Sequence, residues 1–112
     1  MLKTRKKSVQ AQIREMVKLI VKQFHPDKII LFGSHARGDA GPDSDVDLLV
    51  VMEVEKKDRF EKTVEIRGAL HDIDTPKDVI VTTPSDYSWR TEIVGTIEHV
   101  AVREGKVLYE RK

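Results

Sequence analysis

Between positions 8 and 24, apolar residues recur at steps of three and four. Val9, Ile13, Met16, Val17, Ile20 and Phe24 form one stripe of a helix, and Lys18 and Lys22 fall off it. This pattern predicts a core-packing helix with a basic outer face. It ends at His25-Pro26-Asp27, because proline disfavours helical backbone at the residue before it. KIILF, residues 28–32, is an unbroken apolar run of the kind found in buried strands. A polar loop, residues 33–44, carries Gly33, Gly38, Gly41 and Pro42. VDLLVVM, residues 46–52, is a second apolar strand. Residues 57–73 read as a helix with Phe60, Val64, Leu70 and Ile73 on one side and Gly68 as its weak point. The DTP at 74–76 breaks it, and KDVIVT, residues 77–82, is a third strand. TPSD at 83–86 marks a helix start near Ser85. Helical pattern resumes from Thr91 with Ile93, Ile97, Val100 and Ala101, and Gly105 is placed to stop it. KVLYE, residues 106–110, is a short final strand.

Helices and a few central strands in this order predict an α/β (α+β) fold, a small sheet flanked by helices. The length of 112 residues fits one domain over 1–112. Hydrophobic residues make up 39% and charged residues 35%, so the surface is heavily charged while the formal net charge is only +1. That balance gives no overall pull toward nucleic acid or a membrane. There is no cysteine, which removes disulfides and thiolate metal sites. No apolar run reaches membrane-spanning length and the start lacks an apolar leader, so the expected location is cytoplasmic.

The second strand then poses a problem. Asp45 and Asp47 stand two residues apart at its start. Side chains alternate along a strand, so the two carboxylates share a face, with Cα atoms roughly 6.5 Å apart. Such a pair repels itself, and a divalent cation relieves the conflict. Two cations about 3.5–4 Å apart, bridged by such carboxylates, serve in-line phosphoryl chemistry. Asp78 opens the third strand in a similar setting. If that strand lies beside the second, Asp78 completes a three-carboxylate set able to ligate the catalytic metal and accept the proton of a nucleophilic hydroxyl.

At the other end of the loop, Gly33 and Ser34 follow a strand directly. Glycine permits a sharp turn and close approach of a ligand. A helix beginning at Ser34 would direct free N–H groups at an anion, with the Ser34 hydroxyl and Arg37 within reach. Phosphate donors at one end and metal-binding acids at the other suit a metal-bound nucleoside triphosphate. Two lookalikes fail on the residues that carry their chemistry. Gly33 to Gly38 has P-loop spacing, but Asp39 and Ala40 stand where Lys and Ser or Thr belong. Asp43, Asp45 and Asp47 open like an EF-hand loop, but Leu48 replaces its glycine and Val54 its closing glutamate. His35 is a lesser phosphate candidate. Trp89 is expected to pack between helices.

Gly33-Ser34, ten intervening residues, then Asp45-Val46-Asp47 resembles the G-S-x10-D-x-D signature of DNA polymerase β-like nucleotidyltransferases. The stretch GSHARGDAGPDSDVDLLV and the closing REGKVLYE look like the minimal nucleotidyltransferase (MNT) branch. The resemblance implies a palm-like mixed-sheet core, with Gly33 and Ser34 on nucleotide phosphates. It also implies that Asp45, Asp47 and Asp78 hold two Mg2+ ions. The implied reaction moves AMP from ATP onto a hydroxyl and releases pyrophosphate. Minimal members are often paired, as antitoxins, with HEPN-family ribonuclease toxins, and some adenylylate a tyrosine of that partner. A chain this short has no domain for an acceptor, so the expected acceptor is a partner protein. Two alternatives stand beside this expectation. One is a non-catalytic antitoxin that neutralises a HEPN ribonuclease by binding. The other is a small-molecule, aminoglycoside-type nucleotidyltransferase, which would need to oligomerise to build its acceptor pocket. Homo-oligomerisation is left open by the sequence.

Overall fold

The stripe at 8–24 forms α1, Val9–Phe24. The structure, a computed structural model, describes residues 7–112; the basic stretch at 1–6, where no leader is expected, lies outside the described residues. The Ser8 hydroxyl caps α1 by accepting from the Ala11 N–H at 3.1 Å. His25 closes it in left-handed backbone, φ 50°, donating its N–H to the Val21 carbonyl. The apolar runs form β1 (Lys28–Phe32), β2 (Val46–Val51), β3 (Lys77–Thr82) and β4 (Lys106–Glu110). Between them lie α2 (Ser34–Arg37), α3 (Arg59–Ala69), α4 (Pro84–Arg90) and α5 (Ile97–Glu104).

The strands make one mixed sheet in the order β3-β2-β1-β4, with β1 antiparallel to β2 and β4, and β2 parallel to β3. The central pair explains the unbroken apolar runs, because β1 and β2 are covered on both faces. Leu31, Leu48, Val50 and Val79 pack with Met16 and Ile20 of α1 and Ile66 of α3 on one face. Ile30, Phe32 and Leu49 meet Ala101 of α5 on the other, with Ile80 and Tyr87 alongside. The expected α/β class, a small mixed sheet flanked by helices, is the fold observed. Among the described residues no helix is long and apolar enough to cross a membrane.

Glu98 is buried at 5% exposure and joins three elements. It accepts from the Thr82 hydroxyl at 2.7 Å and from Arg90 Nε at 3.1 Å. Burial alone would raise its pKa. The hydrogen bonds from Thr82, its own backbone N–H and Arg90 outweigh that and hold the carboxyl below its ordinary value.

Four expectations are corrected. The helix read at 57–73 spans only Arg59–Ala69, behind a 3-10 turn at Lys56–Asp58. Of the four residues placed on its inner side, Leu70 and Ile73 are buried, but Phe60 and Val64 are 79% and 52% exposed, and Ile66 is buried in their place. The spacing of Phe60, Val64 and Leu70 does not keep helical period, whereas Ile66 and Leu70 are one turn apart. Helix does not resume at Thr91. Residues 91–96 form turns, Gly95 takes φ 97°, and α5 begins behind Thr96, whose hydroxyl accepts from the His99 N–H at 3.1 Å. Trp89 does not pack between helices; it is half exposed, donating to Asp86 Oδ1 at 3.3 Å.

Gly105 does end α5, but not by left-handed backbone: its φ is −83° and its ψ 168°. It is glycine because of close approach. A Cβ there would lie 2.2 Å from the Ala101 carbonyl oxygen, 2.6 Å from Ile30 Cγ2 and 2.9 Å from the Leu31 carbonyl oxygen. Two of these are backbone atoms that cannot swing away. Gly105→Ala is therefore expected to destabilise the fold by about 1–3 kcal/mol, the usual cost of overpacking, as read by chemical denaturation.

Candidate active site

Sheet topology alone gathers the singled-out residues. β1 runs antiparallel to β2, so its end lies beside the start of β2, and β3, parallel to β2, starts at the same end. The register sets Phe32 opposite Asp47 and Asp47 opposite Asp78. Register partners on neighbouring strands lie about 4.8 Å apart and share a face. Asp47 and Asp78 thus stand side by side on the α5 face, just past the apolar cover of Phe32, Leu49 and Ile80.

Gly33 closes this end. Its backbone takes φ 77° and ψ −159°, a region open essentially to glycine alone. An added Cβ would lie 2.2 Å from Asp47 Oδ2 and 3.2 Å from its Cγ. The Asp47 carboxylate therefore rests against the bare Cα of Gly33.

The loop from Gly33 to Ser44 is tied down locally. Ser34–Arg37 makes a single turn of helix, with the Ala36 and Arg37 N–H groups donating to the Gly33 carbonyl at 3.0 Å. Gly38 ends it in left-handed backbone, φ 89°. His35 Nε2 lies 3.1 Å from the Ser44 carbonyl oxygen, and the Gly41 N–H donates to the Ser44 hydroxyl at 2.8 Å. The His35 contact links the two ends of the loop. Arg37, read as a phosphate ligand, is engaged here by two carboxylates. It donates from Nε to Asp39 at 3.1 Å and from Nη1 to Glu104 at 3.1 Å. The bonds to Asp39 and Glu104 raise its pKa further.

Asp47 carries the electrostatic strain. Its pKa is raised, first by burial, then by the charges of Asp78 and Asp45; His35 and Arg37 pull it the other way. Asp78 instead has a counter-ion: Arg67 of α3 donates to its Oδ1 and to the Val79 carbonyl. Among the described residues, no three acidic or histidine side chains converge on one point in this arrangement. Hard oxygen donors and unrelieved like charge are nonetheless what a magnesium-type cation takes. Asp45, Asp47 and Asp78 would supply such donors if Asp78 released Arg67.

Two residues at this site escaped the sequence reading. Glu104, at the end of α5, accepts the Gly33 N–H at 3.1 Å while it holds Arg37. Arg67, on the outer side of α3, reaches Asp78. Glu104 lies in the stretch REGKVLYE but carries no chemical signature of its own there, and Arg67 sits in no motif. Glu104 reads as a solvated helix end and Arg67 as a surface cation, and only the packing of α5 and α3 brings them to the site.

Known proteins carry the same frame. The sequence pattern of the family described as "Nucleotidyltransferase domain" matches residues 13–103, which include the Gly-Ser turn and all three acids. A chain from Sulfolobus solfataricus, assigned as a nucleotidyltransferase, superposes with a TM-score of 0.63 at 22% identity, covering 99% of this chain and 94% of its own. A toxin–antitoxin complex with AMP-PNP contains a chain matching at 0.58 and 22% identity, over 94% of this chain and 76% of that one. A complex of tri-AMPylated Shewanella oneidensis HEPN toxin with MNT antitoxin gives 0.53 and 21%, over 91% and 72%. No curated protein sequence matches the chain. At these identities the solved structures establish a shared fold, while the family match spans most of the chain and its acidic residues. The chain belongs to the nucleotidyltransferase domain family.

Proposed function

We propose that this chain is a Mg2+-dependent nucleotidyltransferase that transfers AMP from ATP to a hydroxyl of a partner protein, as the antitoxin of an MNT/HEPN pair. One observation carries this reading: Asp47 and Asp78 stand in register on adjacent parallel strands, with Asp47 against the bare backbone of Gly33. The likeness of the fold to chains of toxin–antitoxin complexes, one with AMP-PNP and one with an AMPylated HEPN toxin, supports the choice of donor and partner.

In the proposed reaction, Gly33 and Ser34 would lie against the triphosphate, and Asp45, Asp47 and Asp78 would hold two magnesium ions. The ions would neutralise the phosphates and stabilise the charge that builds up at the α-phosphorus. The acceptor hydroxyl oxygen forms a bond to that phosphorus. The bond to the bridging oxygen of the β-phosphate breaks, and pyrophosphate leaves with its electron pair. Asp78, at the start of the edge strand β3, would take the hydroxyl proton. Ser34 contributes one neutral hydrogen bond, worth about 0.5–1.5 kcal/mol. Ser34→Ala should therefore raise the KM for ATP by no more than about tenfold and leave the fold intact, which steady-state kinetics would reveal.

The test is to incubate the protein with magnesium, ATP and the protein encoded beside it, and to weigh both proteins by intact mass spectrometry. Added AMP mass on the partner, absent with Asp47→Asn, is the expected result. The Arg67 contact with Asp78 favours a second reading, a binder that sequesters its partner without transfer. Tight partner binding with no mass gain in the wild type would select that reading.

A further inference from the structure

The edge of the sheet farthest from Asp78 carries an open groove of about 560 Å³ between α1 and β4. Its floor is apolar, made by Val17 and Val21 of α1 with Leu108 and Tyr109 of β4. Its rim is basic, made by Arg14, Lys18 and Lys22, and no acidic side chain lines it among the described residues. The three cations lie at four-residue steps along α1, about 6 Å apart, so they form a straight row beside the floor.

The nearby acids do not neutralise this row. Glu15 pairs with Lys7 at 3.0 Å, and Glu110 pairs with Lys28 at 3.3 Å. Apolar floor is therefore left open to water beside a row of cations that has no acidic partner among the described residues. Only α1 and β4 line the groove, so its far side is open. A helix laid alongside α1 at the usual 8–10 Å spacing would cover Leu108 and Tyr109 and extend the helical layer over β4.

We propose that this groove docks an amphipathic helix of another protein, apolar on one side and bearing acidic residues at four-residue intervals along its flank. Charge selects this occupant. A second copy of the chain would bring its own Arg14, Lys18 and Lys22 against the same row, like against like. An acidic helix instead pairs each cation and fills the floor, a helix-in-groove mode of recognition. Because the groove and the acidic site lie on opposite edges of the sheet, docking and nucleotide transfer are separable.

The test uses a labelled synthetic helix with leucines on one side and glutamates on its flanks, and a matched helix with lysines in place of the glutamates. Fluorescence anisotropy should show that the glutamate helix binds and the lysine helix does not. The exposed pair Lys18→Glu and Lys22→Glu should weaken binding at least about tenfold, and Leu108→Gln should do the same through the floor. Circular dichroism melts would confirm that both variants fold. No binding by the glutamate helix, equal binding by the lysine helix, or binding unchanged in the folded Lys18→Glu/Lys22→Glu variant would each overturn the proposal. So would a wild-type dimer in sedimentation that Leu108→Gln dissolves, since the groove would then belong to a second copy.

Discussion

Asp47→Asn is expected to lower nucleotide transfer by at least about a thousandfold and, at neutral pH, to raise the melting temperature. The loss of activity follows from position. Asp47 is the central acid, between Asp45, just before its own strand, and Asp78 in register on the next. Charge stabilisation by a bound metal supplies several kcal/mol to such a reaction, which is about a thousandfold or more in rate. The amide keeps the shape of the side chain but not its charge. The gain in stability follows from the raised pKa of Asp47, caused by burial and by the charges of Asp78 and Asp45. A carboxyl whose folded pKa lies above its unfolded value binds more protons when folded, so stability falls as pH rises between the two. Above the folded value, the ionised Asp47 costs the wild type stability that the amide does not. In acid, where both folded and unfolded chains are protonated, the difference disappears. Melts without metal at acidic and neutral pH check this. A variant less stable than the wild type at neutral pH would contradict the electrostatic account, and retained transfer would contradict the metal-binding role.

Gly33→Ala is expected to damage stability and activity together. Alanine must adopt backbone that costs roughly 1–3 kcal/mol for a residue with a side chain. Its Cβ also enters the space of the Asp47 carboxylate, 2.2 Å from Oδ2. That carboxylate is the end of a side chain and turns aside, so the steric part falls on the geometry of the site more than on the fold. Displacing a group that orients the reaction by about 1 Å costs about a hundredfold. Denaturation and transfer assays on the one variant separate the two effects. Stability lost with full activity would mean that Asp47 does not need its position against Gly33.

These two residues also show how unevenly the sequence speaks. The apolar runs at 28–32 and 46–52 are legible because central strands must be apolar on both faces, the edge strand at 77–82 keeps a shorter apolar run, and a carboxylate beside such residues stands out. The α1 stripe is legible because six apolar positions keep helical period over four turns. In α3 the apolar positions are too few, and long charged side chains fill the rest. Periodicity therefore places Phe60 and Val64 inward, although they face solvent. At 91–96 the apolar spacing of Ile93 and Ile97 outweighed Gly95 and Thr96, whose backbone conformation and hydroxyl cap set the real helix start.

Local pattern by itself determined the class of fold, the strand cores, the glycine turn and the three acids worth testing, because periodicity, turn chemistry and misplaced charge are properties of neighbouring residues. Only the tertiary structure decided which groups meet. Strand order and register put Asp78 beside Asp47, helix packing brought Glu104 to Gly33 and Arg67 to Asp78, and close approach rather than left-handed backbone explained Gly105. Most of these contacts join different elements of the fold, and no spacing along one segment encodes how two segments lie against each other.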